Sequence, residues 1–394
     1  MHLEIKVLSE KHYMESMKLS MYAFQYTVPE NDIPKRLETL KKHHLLGIFE
    51  GEELASKLHV LSLKVRLGQI EWKMGGIAGV ATYPEHRRKG HVNALMKRAL
   101  KDMDQDGNVV SFLHPFQIDF YRRFGWEIIS DNRKVIIEKL DLKPVDAQMG
   151  IIKRHTEERH STDIEKLYER YAEMHSAMLI RDTEWWSKSI YGEQTAAVYY
   201  DSENEAAGYL LYEIKDNVMK VEEYVSLTHE ARKALWNFIC QHDSMVERVE
   251  VLTSIHDPFP YFLKEPKLKT EIYPYFMGRI VNAEKALSTY PFSNRNAGEN
   301  IFIHLDDAAA LWNEGTYIIG QDGVKFHPVK EGGTCVTAPK RGLHMNINTL
   351  TALLFGYKRP LELYELELLK GNIDEVNVLE QIIPAFKPFF YDFF

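Results

Sequence analysis

The chain has 394 residues, 45% apolar and 27% charged, with a formal net charge of −8 and two cysteines, which suits a globular protein of two or three domains, each with its own core. The acidic balance argues against broad nucleic-acid binding, which depends on neutralising phosphates, and Cys240 and Cys335 make neither a zinc cluster nor a disulfide framework. No apolar run approaches membrane-spanning length and the N-terminus has no signal-peptide core, so a cytoplasmic protein with no membrane or nucleic-acid partner and no metal is expected.

Residues 4–8 read as a first strand, and residues 11–24, where Tyr13, Met17, Met21 and Phe24 recur, as a helix. Pro29 and Pro34 interrupt it before a second helix over residues 35–44. Residues 45–49 and 54–65 read as strands around the turn Glu50-Gly51-Glu52. His43-His44 is expected at the surface, since adjacent helical residues diverge and do not share a metal.

The centre of the chain is Gly75 to Met103. Gly75-Gly76-Ile77-Ala78-Gly79-Val80-Ala81-Thr82 is a small apolar strand with enough glycine to bulge, and Tyr83-Pro84 ends it. His86-Arg87-Arg88-Lys89-Gly90 then places three cations and a glycine within one turn. Val92, Leu95, Met96, Ala99, Leu100 and Met103 form one apolar face of the helix that follows. Unpaired N–H groups at a helix start, a glycine that admits an anion and adjacent cations together make a pyrophosphate cradle. A solvated basic turn is the plainer reading of the same residues.

Further on, residues 109–113 read as a buried strand, 116–121 as a short helix, and 124–129 and 135–137 as strands that close a first domain near Leu142-Lys143-Pro144. A second domain repeats the plan. Thr162-x-x-Glu165 is a capping-box pattern; residues 196–200 and 207–214 form a hairpin; residues 218–225 form a strand before a helix carrying Ala231, Leu235, Phe238 and Ile239. Between that strand and helix, Ser226-Leu227-Thr228-His229-Glu230 has no glycine and no cationic cluster, so no comparable cradle is expected there. From residue 282 the texture changes. Asp322-Gly323 signals a hairpin, and Gly315, Gly320, Gly332 and Gly333 serve turns. Asn348 caps a helix that Gly356 stops, and Asp374 precedes another. The chain ends Phe389-Phe390-Tyr391-Asp392-Phe393-Phe394, an aromatic tail suited to burial or subunit contact.

Arg87-x-x-Gly90-x-Val92 resembles the acetyl-CoA loop of the GNAT N-acetyltransferases, with Val92 in place of the last small residue. With Val80-Ala81-Thr82, the basic loop, Phe120-Tyr121-Arg122-Arg123-Phe124-Gly125-Trp126 and the terminal Phe394, the whole chain resembles the Eis (enhanced intracellular survival) family. The resemblance implies a mixed α/β and α+β fold: an active GNAT domain over residues 1–143, a degenerate GNAT-like domain over 144–281, and a sterol-carrier-protein-like domain over 282–394. It further implies acetyl-CoA-dependent acetylation of amines of a cationic, aminoglycoside-like small molecule by a hexamer. By the same resemblance, Val80, Ala81 and Thr82 align the pantetheine arm; Arg87, Arg88, Lys89, Gly90, His91, Val92 and Asn93 hold the pyrophosphate; Tyr121 protonates the departing thiolate; and the Phe394 carboxylate is the general base. Phe116-Gln117 departs from the Ser-Glu pair of the family. Asp392 is the competing base, and Asp392→Asn is expected to cost little if Phe394 holds that role. Acetylation of a protein lysine, or non-enzymatic lipid binding by the third domain, remain alternatives.

Overall fold

A computed structural model describes residues 4–146, 149–155, 162–192, 194–293, 300–329 and 341–394. Gly332, Gly333 and Cys335 lie outside the described residues. The first stretch runs β1 (Ile5–Val7), α1 (Glu10–Phe24), α2 (Ile33–Leu40), β2 (His44–Glu50), β3 (Glu53–Leu67), β4 (Ile70–Thr82), α3 (His91–Gln105), β5 (Val110–Leu113), α4 (Ile118–Arg122) and β6 (Glu127–Glu138). The second runs β7 (Ile151–His155), α5 (Thr162–Ala172), β8 (Ser176–Leu179), α6 (Thr183–Trp185), β9 (Thr195–Tyr200), β10 (Ala206–Lys215), β11 (Val218–Ser226), α7 (His229–Cys240), β12 (Arg248–Ser254), α8 (Phe259–Phe262) and β13 (Lys269–Ile280). The third holds α9 (Ala283–Thr289), β14 (Ile301–Asp306), β15 (Gly315–Gly320), β16 (Gly323–Pro328), β17 (Leu343–Asn346), α10 (Ile347–Phe355), α11 (Pro360–Glu365) and α12 (Ile373–Ile382).

Strands from the first two stretches join one sheet in the order β1-β2-β3-β4-β5-β13-β6-β12-β11-β10-β9-β7, with β8 on β3. The sequence divides near residue 143, but the sheet does not: β13 lies between β5 and β6, and β6 also pairs with β12. A boundary read at the end of β6 sees where the strand stops and not who flanks it. Residues 124–129 and 135–137, expected as two strands, belong to a single β6 because β13 supports it along nearly its whole length.

The third stretch forms its own sheet, β16-β15-β14-β17. It is tied to the first by α10, in which Leu350, Leu353, Leu354 and Phe355 are fully buried. Phe355 meets Phe112 of β5 edge-on at 5.3 Å. Asn346 caps α10, accepting the Thr349 N–H, and not Asn348. Asn348 instead donates to the carbonyls of Arg122 and Trp126 and so ties the third domain to α4. Gly356 stops the helix as expected. Thr162 is the first residue of α5 and not its cap, so the cap position falls outside the described residues.

Candidate active site

β4 and β5 run side by side only from Met74–Val110 to Gly76–Phe112; beyond that, residues 77–82 of β4 have no partner on the β5 side. β3 supports β4 on the other side, through a bulge at Gly79 and Val80. Gly79 takes φ +56°, a conformation that favours glycine. The result is a V-shaped gap whose β4 edge, carrying Val80, Ala81 and Thr82, has no strand partner on the β5 side, while the Ala81 and Thr82 carbonyls accept side-chain hydrogen bonds from Ser56 and Arg87.

The two sides of β4 face different neighbours. A Cβ at Gly75 would strike Met103 of α3, whereas one at Gly76 would lie 2.8 Å from the Phe394 ring. Tyr121 packs on the α3 side with Ile77, Leu95 and Phe124. It is 4% exposed, its hydroxyl makes no hydrogen bond among the described residues, and burial raises its pKa to about 12. Phe116 is exposed and rests its ring on Phe120 and Tyr121.

The basic loop delivers α3 with Gly90 at its N-cap, φ +84°, with no side chain capping the first turn. Nothing lies within 4 Å of where a Gly90 Cβ would be, so the approach to the helix start is open. Glu50 organises the loop: Lys89 Nζ donates to both its oxygens at 2.9 Å, and the His91 and His86 rings come within 3.3 and 3.4 Å. Lys89 and the buried His91 are thereby directed at Glu50, while Arg87 Nε donates to the Thr82 carbonyl at 3.3 Å. Arg88 is exposed, holds φ +63° and makes no ion pair among the described residues. Val92 is half-buried and Asn93 exposed on the first turn of α3.

On the opposite side the tail from the third domain enters along the second. Ser176 of β8 exchanges backbone hydrogen bonds with Lys387 and Phe389. Asp392 is 2% exposed and bonded to Arg181 Nε at 2.9 Å, Trp185 Nε1 at 2.7 Å and Tyr168 at 3.2 Å. Arg181 also pairs with buried Glu223 at 2.5 Å. Asp392 is therefore occupied in holding the tail, an arrangement that speaks against the competing base. Phe393 is exposed and meets His114, at the end of β5, at 5.1 Å. Phe394 is half-buried among Gly76, Phe276 and Trp185.

A cavity of about 410 Å³ opens beside it, lined by α2, β3 and the turns around α6. Lys35, Arg36, Lys42 and Lys188 face Asp32, Asp182 and Glu184 across it. Glu184 sits between Lys42 and Lys188, whose hydrogen bonds hold its carboxyl down at about 2. His43 lines this cavity and His44 pairs with Asp102 at 2.8 Å. Both histidines are half-buried rather than at the surface, because α2 ends at Leu40 and His44 already opens β2, paired with Val60 of β3. Among the described residues no group of three or more His, Cys, Asp or Glu is placed to hold a metal. No motif or spacing marks Arg181, Trp185, His114 and Lys57 in the sequence; tertiary contacts alone bring them to the tail and the β4 bulge.

Residues 4–129 match an acetyltransferase (GNAT) domain family, 177–280 a second GNAT family, and 283–391 a sterol carrier protein domain. The N-acetyltransferase Eis of Mycobacterium tuberculosis is 27% identical over 266 residues, 63% of this chain, and the match spans 65% of that relative's length. An uncharacterized N-acetyltransferase of Streptomyces avermitilis is 22% identical over 84% of the chain and 82% of its own length. Among solved structures, an Enterococcus faecalis protein described as a probable N-acyltransferase superposes over 100% of both chains with TM-score 0.90 and 28% identity. Eis1 of Mycobacterium abscessus has the same fold, with TM-score 0.81 and 20% identity over 100% of both chains. The fold and the splayed strands with their glycine-started helix define two GNAT domains in tandem followed by a sterol carrier protein domain. More narrowly, the chain is similar to the Eis N-acetyltransferases and carries a GNAT domain over residues 4–129.

Proposed function

We propose that this chain is an acetyl-CoA-dependent N-acetyltransferase acting on amines of a cationic, aminoglycoside-like small molecule, at more than one position. GNAT domains use acetyl-CoA, and the residues here fit it: an unpaired strand edge for the pantetheine arm and an open, uncapped helix start beside Arg88 for the pyrophosphate. The single observation that carries the reading is the placement of Tyr121 and the tail residue Phe394 on opposite sides of the β4 gap. Asp32 and Asp182 on the cavity wall supply carboxylates to a cationic acceptor, and the cavity has the size usual for a small-molecule site.

In this reading the amine attacks the thioester carbonyl from the Phe394 side, and N–H groups of the bulged β4 edge steady the oxyanion. The terminal carboxylate accepts the amine proton as the N–C bond forms. Tyr121 then gives its proton to the departing sulfur; with burial holding the phenol near 12 it remains protonated until the thiolate appears. By family resemblance the enzyme assembles as a hexamer, and its composition and two cysteines suit the cytoplasm.

The test is mass spectrometry of products after incubation with acetyl-CoA and a panel of aminoglycosides, polyamines and lysine peptides. Mass gains of one or more acetyl groups on the small amines support the reading. Acetylated peptides alone would replace the acceptor class. Tyr121→Phe is expected to lower turnover by about 10²–10⁴-fold with acetyl-CoA affinity kept.

A further inference from the structure

The acceptor side of β3 and β4 holds a buried basic column that the chemistry above does not use. Lys57 of β3 is fully buried, with Nζ 2.5 Å from Ser20 Oγ of α1 and 2.8 Å from His59 Nε2. The His43 ring lies 5.6 Å from that of His59 and forms part of the cavity wall. His43 Nδ1 is buried without a hydrogen-bond partner among the described residues. At the other end the column touches the bulge: a Cβ on Gly79 would lie 3.2 Å from Lys57 Nζ and 3.4 Å from His59 Nε2. Ser20, Lys57, His59 and His43 thus run from beneath the bulge of β4 to the acceptor cavity.

Among the described residues no carboxylate is bonded to Lys57 or His59, and Asp32, Asp182 and Glu184 share only the cavity wall with His43. Ser20 faces Lys57 from α1, Gly79 from β4, and His43 approaches from the turn after α2, while His44 and Asp102 pair elsewhere. A buried ammonium with no counter-charge is strongly disfavoured, so the lysine is pushed toward its neutral form. Burial lowers Lys57 to about 7, and burial together with Lys57 lowers His43 to about 4. A neutral alkylamine beside an acetyl-transfer site is a base in waiting, and a packing role alone would be served by methionine.

We propose that the column takes up the proton an ammonium acceptor must lose before it attacks, with His43 at the cavity and Lys57 as the group left protonated. The inference rests on the acetyltransferase reading above. The acceptor R–NH3⁺ passes one proton through His43 and His59 to Lys57, giving R–NH2 and the Lys57 ammonium. R–NH2 then forms the N–C bond; its second proton goes to the Phe394 carboxylate and Tyr121 protonates the leaving sulfur. The carboxyl proton restores Tyr121, and Lys57 returns its proton to solvent by way of the cavity.

The test is the pH dependence of kcat/KM for an alkylamine acceptor, whose own pKa near 10.4 lies well away from the window. For the wild type a break is expected near pH 7, below which activity falls as Lys57 becomes protonated. Lys57→Met should lower kcat/KM by about 10²-fold or more and erase that break, with acetyl-CoA affinity in calorimetry unchanged. His43→Gln, at a half-buried wall position, should erase the same break with the fold intact, and serves if Lys57→Met does not fold. Either folded variant keeping the wild-type profile overturns the inference and leaves the parent reading standing. A wild type that binds acetyl-CoA but acetylates no amine overturns both.

Discussion

The first and second GNAT units contain the same strand splay put to opposite uses. β4 parts from β5 after Gly76–Phe112, and β11 parts from β12 after Val221–Val251. Each splay leads into a helix, α3 or α7. In the first unit the helix starts at Gly90 with no side-chain cap, and the approach is open. In the second, the Thr228 hydroxyl accepts the Ala231 N–H at 3.1 Å and satisfies part of the helix start internally. The Tyr391 hydroxyl bonds both the N–H and the carbonyl of Tyr224, at 3.3 and 3.0 Å, so the chain's own tail occupies the second gap. The first splay stays open; the second docks the segment that carries Phe394 to the first. The fold permits a cofactor slot, and the residues after the strand decide whether it is one.

The largest break in this arrangement should come from Arg181→Met. It leaves Asp392 and Glu223 buried without their cation, a loss of about 3–5 kcal/mol in denaturant unfolding. Because it also frees the tail, turnover should fall while acetyl-CoA affinity holds. An unchanged unfolding midpoint would show that the tail is held by its aromatic contacts alone.

Lys57→Met probes the first unit through stability. Lys57 sits at about 7 when folded against a reference of 10.5, so between these pH values the unfolded chain binds one more proton. Wild-type stability therefore rises with pH across that window. The variant lacks this dependence and should be the more stable protein by a few kcal/mol near pH 7, at about 1.4 kcal/mol per pKa unit. The advantage should shrink toward pH 10; a constant difference would contradict a neutral buried lysine.

Gly90→Glu places a carboxylate and a strained φ at the open helix start. Acetyl-CoA affinity in calorimetry should drop about tenfold or more, from a wild-type stoichiometry of one per chain. A stoichiometry of two would mean that Tyr391 does not block the second gap. The smallest effect should be Thr228→Ala, about 1 kcal/mol of stability with acetyl-CoA binding unaltered.

Local pattern determined much of this protein. The face of α3 formed by Leu95, Met96, Ala99, Leu100 and Met103 is buried as its spacing requires. The bulge-prone glycines of β4, the glycine-started helix and the Asp322-Gly323 hairpin were equally legible, because capping, periodicity and turn chemistry act over a few residues. Tertiary structure alone decided the insertion of β13 between β5 and β6, since strand pairing is set by partners more than 130 residues apart in sequence. It also decided that Asp392 anchors the tail instead of standing free, because the Arg181 that neutralises it lies 211 residues away. Lys57 and His59 have no motif at all. Their meaning arises only where α1, β3 and the Gly79 bulge bury the amine with no carboxylate bonded to it among the described residues.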